Sequence, residues 1–136
     1  MSQKSTTPTP PSIVWSINGF AFELDMSDVA VQERYEKAFE TLGKTEKNLP
    51  KTGSNSSRTL AYCNMFRALY DDIFGEGTSQ KIFGDVNNAR IMTETYEQFL
   101  EFVQNQGELL HQTKNRVLDR FSPNRAQRRA QAKGKK

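Results

Sequence analysis

The two residue types best suited to nucleophilic or metal chemistry each occur once, as Cys63 and His111. A catalytic thiol needs a positioned base and an oxyanion site, and a structural zinc site needs several Cys or His ligands. Both residues fall within ordinary helical patterns, and the sequence places no cluster around them. We therefore interpret Cys63 as a core thiol and His111 as a residue at the surface or core edge. The sequence predicts no catalytic residue, no metal and no cofactor, and hence a protein that is not an enzyme.

The middle of the chain contains carboxylates that could bind a cation and glycines that could form a phosphate-binding loop. The carboxylates are Asp71, Asp72, Glu76 and Asp85. Their spacing and the length of the loop differ from those of an EF-hand. The glycines are Gly75, Gly77 and Gly84, and their spacing is neither that of a P-loop nor that of a dinucleotide-binding turn. We interpret the acids as helix caps and solvated charges, and the glycines as turn residues.

Charge is distributed unevenly along the chain. Residues 114–136 contain nine basic residues and one acid, Asp119, and so carry about +8, whereas the whole chain is +3 and residues 1–113 carry about −5. An acidic body with a basic end indicates that the C-terminus meets a partner. The predicted basic contact residues are Arg116, Arg120, Arg125, Arg128, Arg129, Lys133, Lys135 and Lys136.

Three interpretations of this basic end remain open. It contacts another protein, it binds the phosphates of a nucleic acid, or it keeps the chain soluble without a fixed partner. No aromatic residues alternate with the basic ones to stack on bases, and an acidic body would repel phosphate. Protein contact is therefore the favoured interpretation.

The first elements of the chain are an arm and a hairpin. Residues 1–12 are rich in Ser, Thr and Pro, which predicts a disordered arm. In residues 13–24, Asn18-Gly19 lies between β-branched and aromatic residues, a pattern typical of a hairpin with a type I′ turn. An isolated hairpin is unstable, so it must pack on helices or on another chain.

Helical periodicity predicts three long helices. The first spans Val29–Lys47 with Ser27 or Asp28 as its cap, and the second spans Arg58–Ile73 between a capping Ser57 and Gly75. A short helical piece capped by Ser79 follows. The third helix spans Val86–Arg120, with Asp85 as its cap, and Ser122-Pro123 ends it. We predict a mainly α fold: a single three-helix domain over residues 13–121, with a short N-terminal β-hairpin, disordered termini and a flexible basic tail over residues 122–136.

The third helix carries an apolar stripe close to a heptad rhythm. Its members are Met92, Tyr96, Phe99, Val103, Leu110, Val117 and Phe121. Gln106 interrupts the stripe at an inward position, and Gly107 costs the helix about 1 kcal/mol relative to Ala. The two shorter helices cannot cover all of these side chains, which predicts an oligomer or a client-binding groove. The predicted apolar contact residues are Phe99, Phe102, Val103, Leu110, Val117 and Phe121.

A single cysteine is typical of a protein from a reducing cytosol. The N-terminus lacks the apolar run of a signal peptide, and no stretch approaches the ~18 apolar residues of a membrane span. The sequence therefore predicts a soluble protein of the cytoplasm with no membrane partner.

Several strings, taken with the order of elements, resemble the tail assembly chaperones of long-tailed bacteriophages. Residues 70–77 read YDDIFGEG at the end of a predicted helix, Ile82-Phe83 precedes the long helix, and residues 124–129 read NRAQRR. The Asn-Gly hairpin ahead of the helices completes the similarity. The order of elements is similar over most of residues 13–130, but few individual residues are the same.

This resemblance implies a non-enzymatic, mostly helical protein that binds the tape measure protein and promotes assembly of the tail tube around it. Such a protein acts in the cytoplasm of the infected host and is absent from the mature virion. Two alternatives stay open: a small nucleic-acid-binding accessory protein acting through its basic tail, and a minor structural protein of the virion or tail.

Overall fold

The structure, a computed structural model, describes residues 13–120, which form a two-stranded antiparallel hairpin followed by four helices. The strands are β1 (Val14–Ile17) and β2 (Phe20–Glu23). The helices are α1 (Val29–Lys47), α2 (Asn55–Phe74), the short α3 (Thr78–Phe83) and α4 (Ala89–Arg120). The predicted mainly α fold with an N-terminal hairpin is confirmed. The predicted arm and basic tail lie outside the described residues.

The hairpin has the predicted turn. Asn18 and Gly19 have φ angles of 51° and 82°, the positive pair that a type I′ turn requires. The register pairs Trp15 with Phe22 across the strands. The side-chain amide of Asn18 donates a hydrogen bond of 2.7 Å to the carbonyl of Ile82, so the turn is attached to α3. The hairpin is therefore stabilised by packing on helices of its own chain.

Helix α1 has the predicted bounds, whereas α2 begins earlier than predicted. The carboxylate of Asp28 caps α1 by accepting from the N–H of Ala30. At α2, the hydroxyl of Ser54 accepts from the N–H of Ser57 at 3.1 Å. Ser57, the predicted cap, thus lies inside the first turn, because an earlier serine is already placed to satisfy the free N–H groups.

The predicted start of α4 at Val86, capped by Asp85, is wrong. The helix begins at Ala89, and the side chain of Asn88 accepts from the N–H of Ile91 at 3.1 Å. Arg67 of α2 explains the delay, because its guanidinium donates to the carbonyls of Gly84 and Val86, both at 2.8 Å. Those carbonyls point to a side chain of another helix, so the connection before α4 is not helical.

An aromatic core joins the hairpin to the three long helices. Phe99 of α4 is fully buried at its centre. The rings that contact it are those of Trp15, Tyr35, Tyr70 and Phe74, with centroid distances of 5.2, 6.3, 5.7 and 5.9 Å. These partners come from β1, α1 and α2, so one side chain of α4 contacts each of the other large elements.

Truncating this central ring should be far more destabilising than truncating its neighbour on the surface. We expect Phe99→Ala to lower the free energy of unfolding by about 3–5 kcal/mol, because it leaves a cavity in the core. The matched control is Leu100→Ala, whose side chain is 38% exposed, and which should cost less than about 1 kcal/mol. Urea denaturation followed by circular dichroism measures both, and equal losses would contradict this description of the core.

Candidate partner-binding surface

Gln106 is the last buried residue of α4 and packs within residues 13–106, which we call the body of the protein from here on. Its side chain is buried, and its amide nitrogen donates to the carbonyl of Leu24 at 2.8 Å. The backbone N–H of Met26 donates to the amide oxygen of the same side chain. One glutamine therefore satisfies both an acceptor and a donor of the segment that links the hairpin to α1, as a neighbouring strand would. In the sequence, this role is indicated by a polar residue at an inward heptad position of an otherwise apolar stripe.

Beyond Gln106, most of α4 is not covered by any other described element. We call residues 107–120 the projecting segment; at 1.5 Å per residue it is about 21 Å long. Leu110 and Asp119 are partly covered, and all other residues of the segment are exposed. A helix with so little covered surface gains little from tertiary packing, which is the main source of helix stability in proteins.

The apolar stripe of the core extends along this segment. Val103, Leu110 and Val117 lie seven residues apart and so share one face of α4. Val103 packs against the core, whereas Val117 is 46% exposed. Leu109 and Leu118, on either side of this face, are 50% and 48% exposed. The stripe that builds the core thus continues into a largely exposed apolar face, on which Leu110 is partly covered and Val117 is not.

The sign of the exposed charge changes along α4. Its first half carries Glu94, Glu97 and Glu101, all exposed, and Arg90 forms an ion pair with Glu94 at 3.1 Å. The projecting segment carries exposed Lys114, Arg116 and Arg120, with Glu108 near its start and Asp119 near its end. The last described turns of α4, residues 114–120, are therefore basic, and we call them the tip of the projecting segment.

A groove lies where the projecting segment meets the body. It has a volume of about 290 Å³. Its lining residues are Ile13, Asp25, Ser27, Gln106, Leu109, Leu110 and Thr113. Asp25 accepts from the N–H of Ser27 at 3.0 Å, and the acidic residues Glu23 and Asp28 flank it in the chain. The groove thus combines leucine side chains with one carboxylate, that of Asp25, in an acidic stretch of the chain.

The structure divides the predicted apolar contact residues into two groups. Phe99 is wholly buried, and Phe102 and Val103 pack partly buried against the core, so these three belong to the body. The prediction of Phe99 as a contact residue is therefore wrong, because the aromatic rings around it leave no surface for a partner. Leu110 and Val117 lie on the projecting segment, while Phe121 lies outside the described residues.

The predicted basic contact residues are divided in a similar way. Arg116 and Arg120 are exposed on the projecting segment. Arg125, Arg128, Arg129, Lys133, Lys135 and Lys136 lie outside the described residues.

Cys63 and His111 do not come together. Cys63 is fully buried in α2, and burial raises the pKa of its thiol despite the opposing effect of Arg67. His111 is exposed on the projecting segment, where a ring nitrogen lies 3.3 Å from the side-chain amide of Asn115. Asp71 accepts from the N–H and the hydroxyl of Ser79, at 2.8 and 3.1 Å. Within residues 13–120, no group of three or more His, Cys, Asp or Glu residues is placed to hold a metal ion.

A larger, open groove of about 710 Å³ lies between the first turns of α2 and α4. Arg58 and Arg90 line it, but their guanidinium groups already bond to Asn55 and Glu94 of their own helices, at 2.7 and 3.1 Å. Tyr62 and Thr93 close its floor through a hydroxyl–hydroxyl contact of 2.6 Å. The side chains of Arg58 and Arg90 thus each bond to a residue of their own helix, and that of Tyr62 bonds to Thr93.

The chain belongs to a family of unknown function, DUF6673, which matches residues 18–132. The matched range begins after β1 and includes β2, the four helices and the whole projecting segment. No curated protein and no solved structure matches the chain. Among the described helices, none is long and apolar enough to cross a membrane.

Replacing Gln106 tests its role as the link between α4 and the hairpin connection. Gln106→Leu keeps the size of the side chain but leaves the carbonyl of Leu24 and the N–H of Met26 unpaired. We expect it to lower the free energy of unfolding by about 2–4 kcal/mol, because each buried unpaired group costs about 1–3 kcal/mol. The matched control is Gln104→Leu, at an exposed position two residues earlier, which should change stability by less than about 0.5 kcal/mol. Thermal and urea denaturation measure both variants, and a stable Gln106→Leu protein would contradict the role.

Buried tyrosines make the stability of the body sensitive to high pH. The hydroxyl of Tyr70 is buried without a hydrogen-bond partner among the described residues, and burial raises its pKa well above the ordinary 10.0. Burial also raises the pKa values of Tyr35 and Tyr96. Above pH 10 the unfolded chain loses these protons while the folded protein retains them. The stabilisation is therefore complete below pH 10 and is lost as the pH rises further.

Tyr70→Phe should separate this effect from the rest of the core. At neutral pH we expect stability to be unchanged or up to about 1–2 kcal/mol higher, because the variant removes an unpaired buried hydroxyl. Above pH 10 the stability of the variant should fall less steeply than that of the unaltered protein. The two slopes should differ by about 1.4 kcal/mol per pH unit, the contribution of one proton. Urea denaturation at a series of pH values gives both results. Parallel pH profiles would show that Tyr70 ionises normally in the folded state.

Proposed function

We propose that this protein is a non-enzymatic tail assembly chaperone of a long-tailed bacteriophage, which binds the tape measure protein and promotes assembly of the tail tube. In this proposal it acts in the cytoplasm of the infected host and is absent from the finished virion. The proposal combines the resemblance of the strings at residues 70–77 and 124–129 with the shape of α4.

One observation supports a protein-binding role above all others. The heptad face that packs the core continues onto the projecting segment, where Leu109, Val117 and Leu118 are about half exposed. Apolar residues at helical spacing on an uncovered helix are the usual means of docking against a second amphipathic helix. A tape measure protein, as a long helical rod, offers such helices along its length.

The charges of the segment favour a client with acidic flanks. Lys114, Arg116 and Arg120 are exposed on the same part of α4, and the sequence adds further basic residues after it. Such charges raise the rate of encounter with an acidic partner, while the apolar contacts determine how long the complex lasts.

Binding should depend on the apolar face of the projecting segment and not on equally exposed residues elsewhere. The test is co-expression with the tape measure protein of the same phage, followed by affinity purification and titration of the purified pair. We expect Val117→Glu to weaken binding at least about tenfold, because it places a charge in an apolar contact.

The matched control for this prediction is Leu60→Glu on α2, since Leu60 and Val117 are both 46% exposed. Leu60→Glu should bind as the unaltered protein does. Circular dichroism should show that both variants remain folded. Binding that is absent altogether, or that both variants lose equally, would argue against the proposal.

A nucleic-acid-binding role is the second candidate, supported by the exposed basic tip of α4 and the basic residues that follow it in the sequence. Salt distinguishes the two roles. Phosphate contacts weaken steeply between 50 and 200 mM salt, whereas an apolar helix contact does not. Titration with DNA and RNA oligonucleotides across this range would identify the second role if binding were strong and steeply salt-dependent.

A further inference from the structure

The two ends of the projecting segment have opposite character. At its base, residues 23–28 supply three carboxylates and no basic residue, and Asp25 lies in the wall of the groove. At its tip, Arg116 and Arg120 are exposed. The acidic base and the basic tip are separated by the length of the segment, about 21 Å.

This polarity has a geometric consequence for a second copy of the chain. If two projecting segments lie antiparallel, the tip of each reaches the base of the other. Arg116 and Arg120 of each copy then approach the acidic groove of its partner, and the pairing occurs twice by symmetry. A parallel arrangement would instead place basic tips together and acidic bases together, which is unfavourable.

The apolar residues are compatible with the same arrangement. With the two-fold axis near residues 113 and 114, Leu110 of each copy lies opposite Val117 of the other. The heptad face of one segment thereby covers that of its partner, and Leu109 and Leu110 at the groove meet the apolar side of the incoming tip. A closed symmetric pair uses one self-complementary patch, as an isologous interface requires.

We propose that the projecting segment pairs antiparallel with the projecting segment of a second copy, so that the basic tip of each lies in the acidic groove at the base of the other. The inference is independent of the proposed chaperone role, since it follows from the charges and apolar residues of this chain alone. A dimer of this kind covers the same face that a client helix would need, so client and second copy compete.

Sedimentation velocity across a range of concentrations tests the dimer, whose mass would be twice 15.5 kDa. We expect a concentration-dependent dimer that weakens as salt is raised, because its tip-to-base contacts are between exposed charges. Val117→Glu and the double variant Arg116→Glu/Arg120→Glu should each raise the dissociation constant at least about tenfold. Leu60→Glu should leave the dissociation constant unchanged.

Cysteine cross-linking tests the direction of pairing. Cys63 is fully buried and stays protected in the folded protein. Any disulfide that forms between two copies therefore comes from the introduced cysteine. Leu110→Cys and Val117→Cys proteins should form disulfides efficiently when mixed, but poorly when each is oxidised by itself. Thr113→Cys, near the symmetry axis, should cross-link with itself.

Any of four results would overturn the inference, of which the first three concern the projecting segment itself. These three are a monomer at every concentration tested, a dimer that Val117→Glu leaves intact, and efficient self-cross-linking of Leu110→Cys and of Val117→Cys. The third result would show parallel pairing. An equal loss of the dimer in Leu60→Glu would likewise place the contact elsewhere.

Discussion

The contact of Phe99 with four aromatic rings is the interaction on which the rest of the structure depends. The hairpin contacts Phe99 through Trp15, α1 through Tyr35, and α2 through Tyr70 and Phe74. A hairpin of two four-residue strands would not be stable by itself. Its stability comes from the burial of Trp15 against the helices, and the direction of α4 is determined by the same set of rings.

The body and the projecting segment are built from one helix with one heptad rhythm, but they have different surroundings. Up to Gln106, the inward side chains of α4 meet other elements of the chain. After Gln106 the same spacing continues, but among the described residues of the segment only Leu110 and Asp119 are partly covered. A surface of this kind has the apolar content of a core and the accessibility of a binding site. The proposed roles of the segment, in client binding and in self-association, both follow from that combination.

The features that could be predicted from the sequence were those set by local chemistry. Asn18-Gly19 determined the turn, the periodicity of α1 gave its bounds, and the heptad rhythm of α4 identified its inward face. The start of α4 could not be predicted, because it depends on hydrogen bonds from Arg67 to the carbonyls of Gly84 and Val86 across the fold. Likewise, a heptad pattern does not reveal where covering elements end, so Phe99 and Val117 looked alike in the sequence although one is buried and the other exposed.

Gly107 directly follows Gln106, at the point where α4 leaves the body. A Cβ at this position would meet nothing within 4 Å, so close packing does not require a glycine there. Its effect is on the backbone, since glycine weakens a helix by about 1 kcal/mol relative to alanine. The last anchored residue is thus followed at once by the weakest helical position. Because the projecting segment buries little surface and begins at this glycine, we expect its helix to open at a lower free-energy cost than the helices of the body.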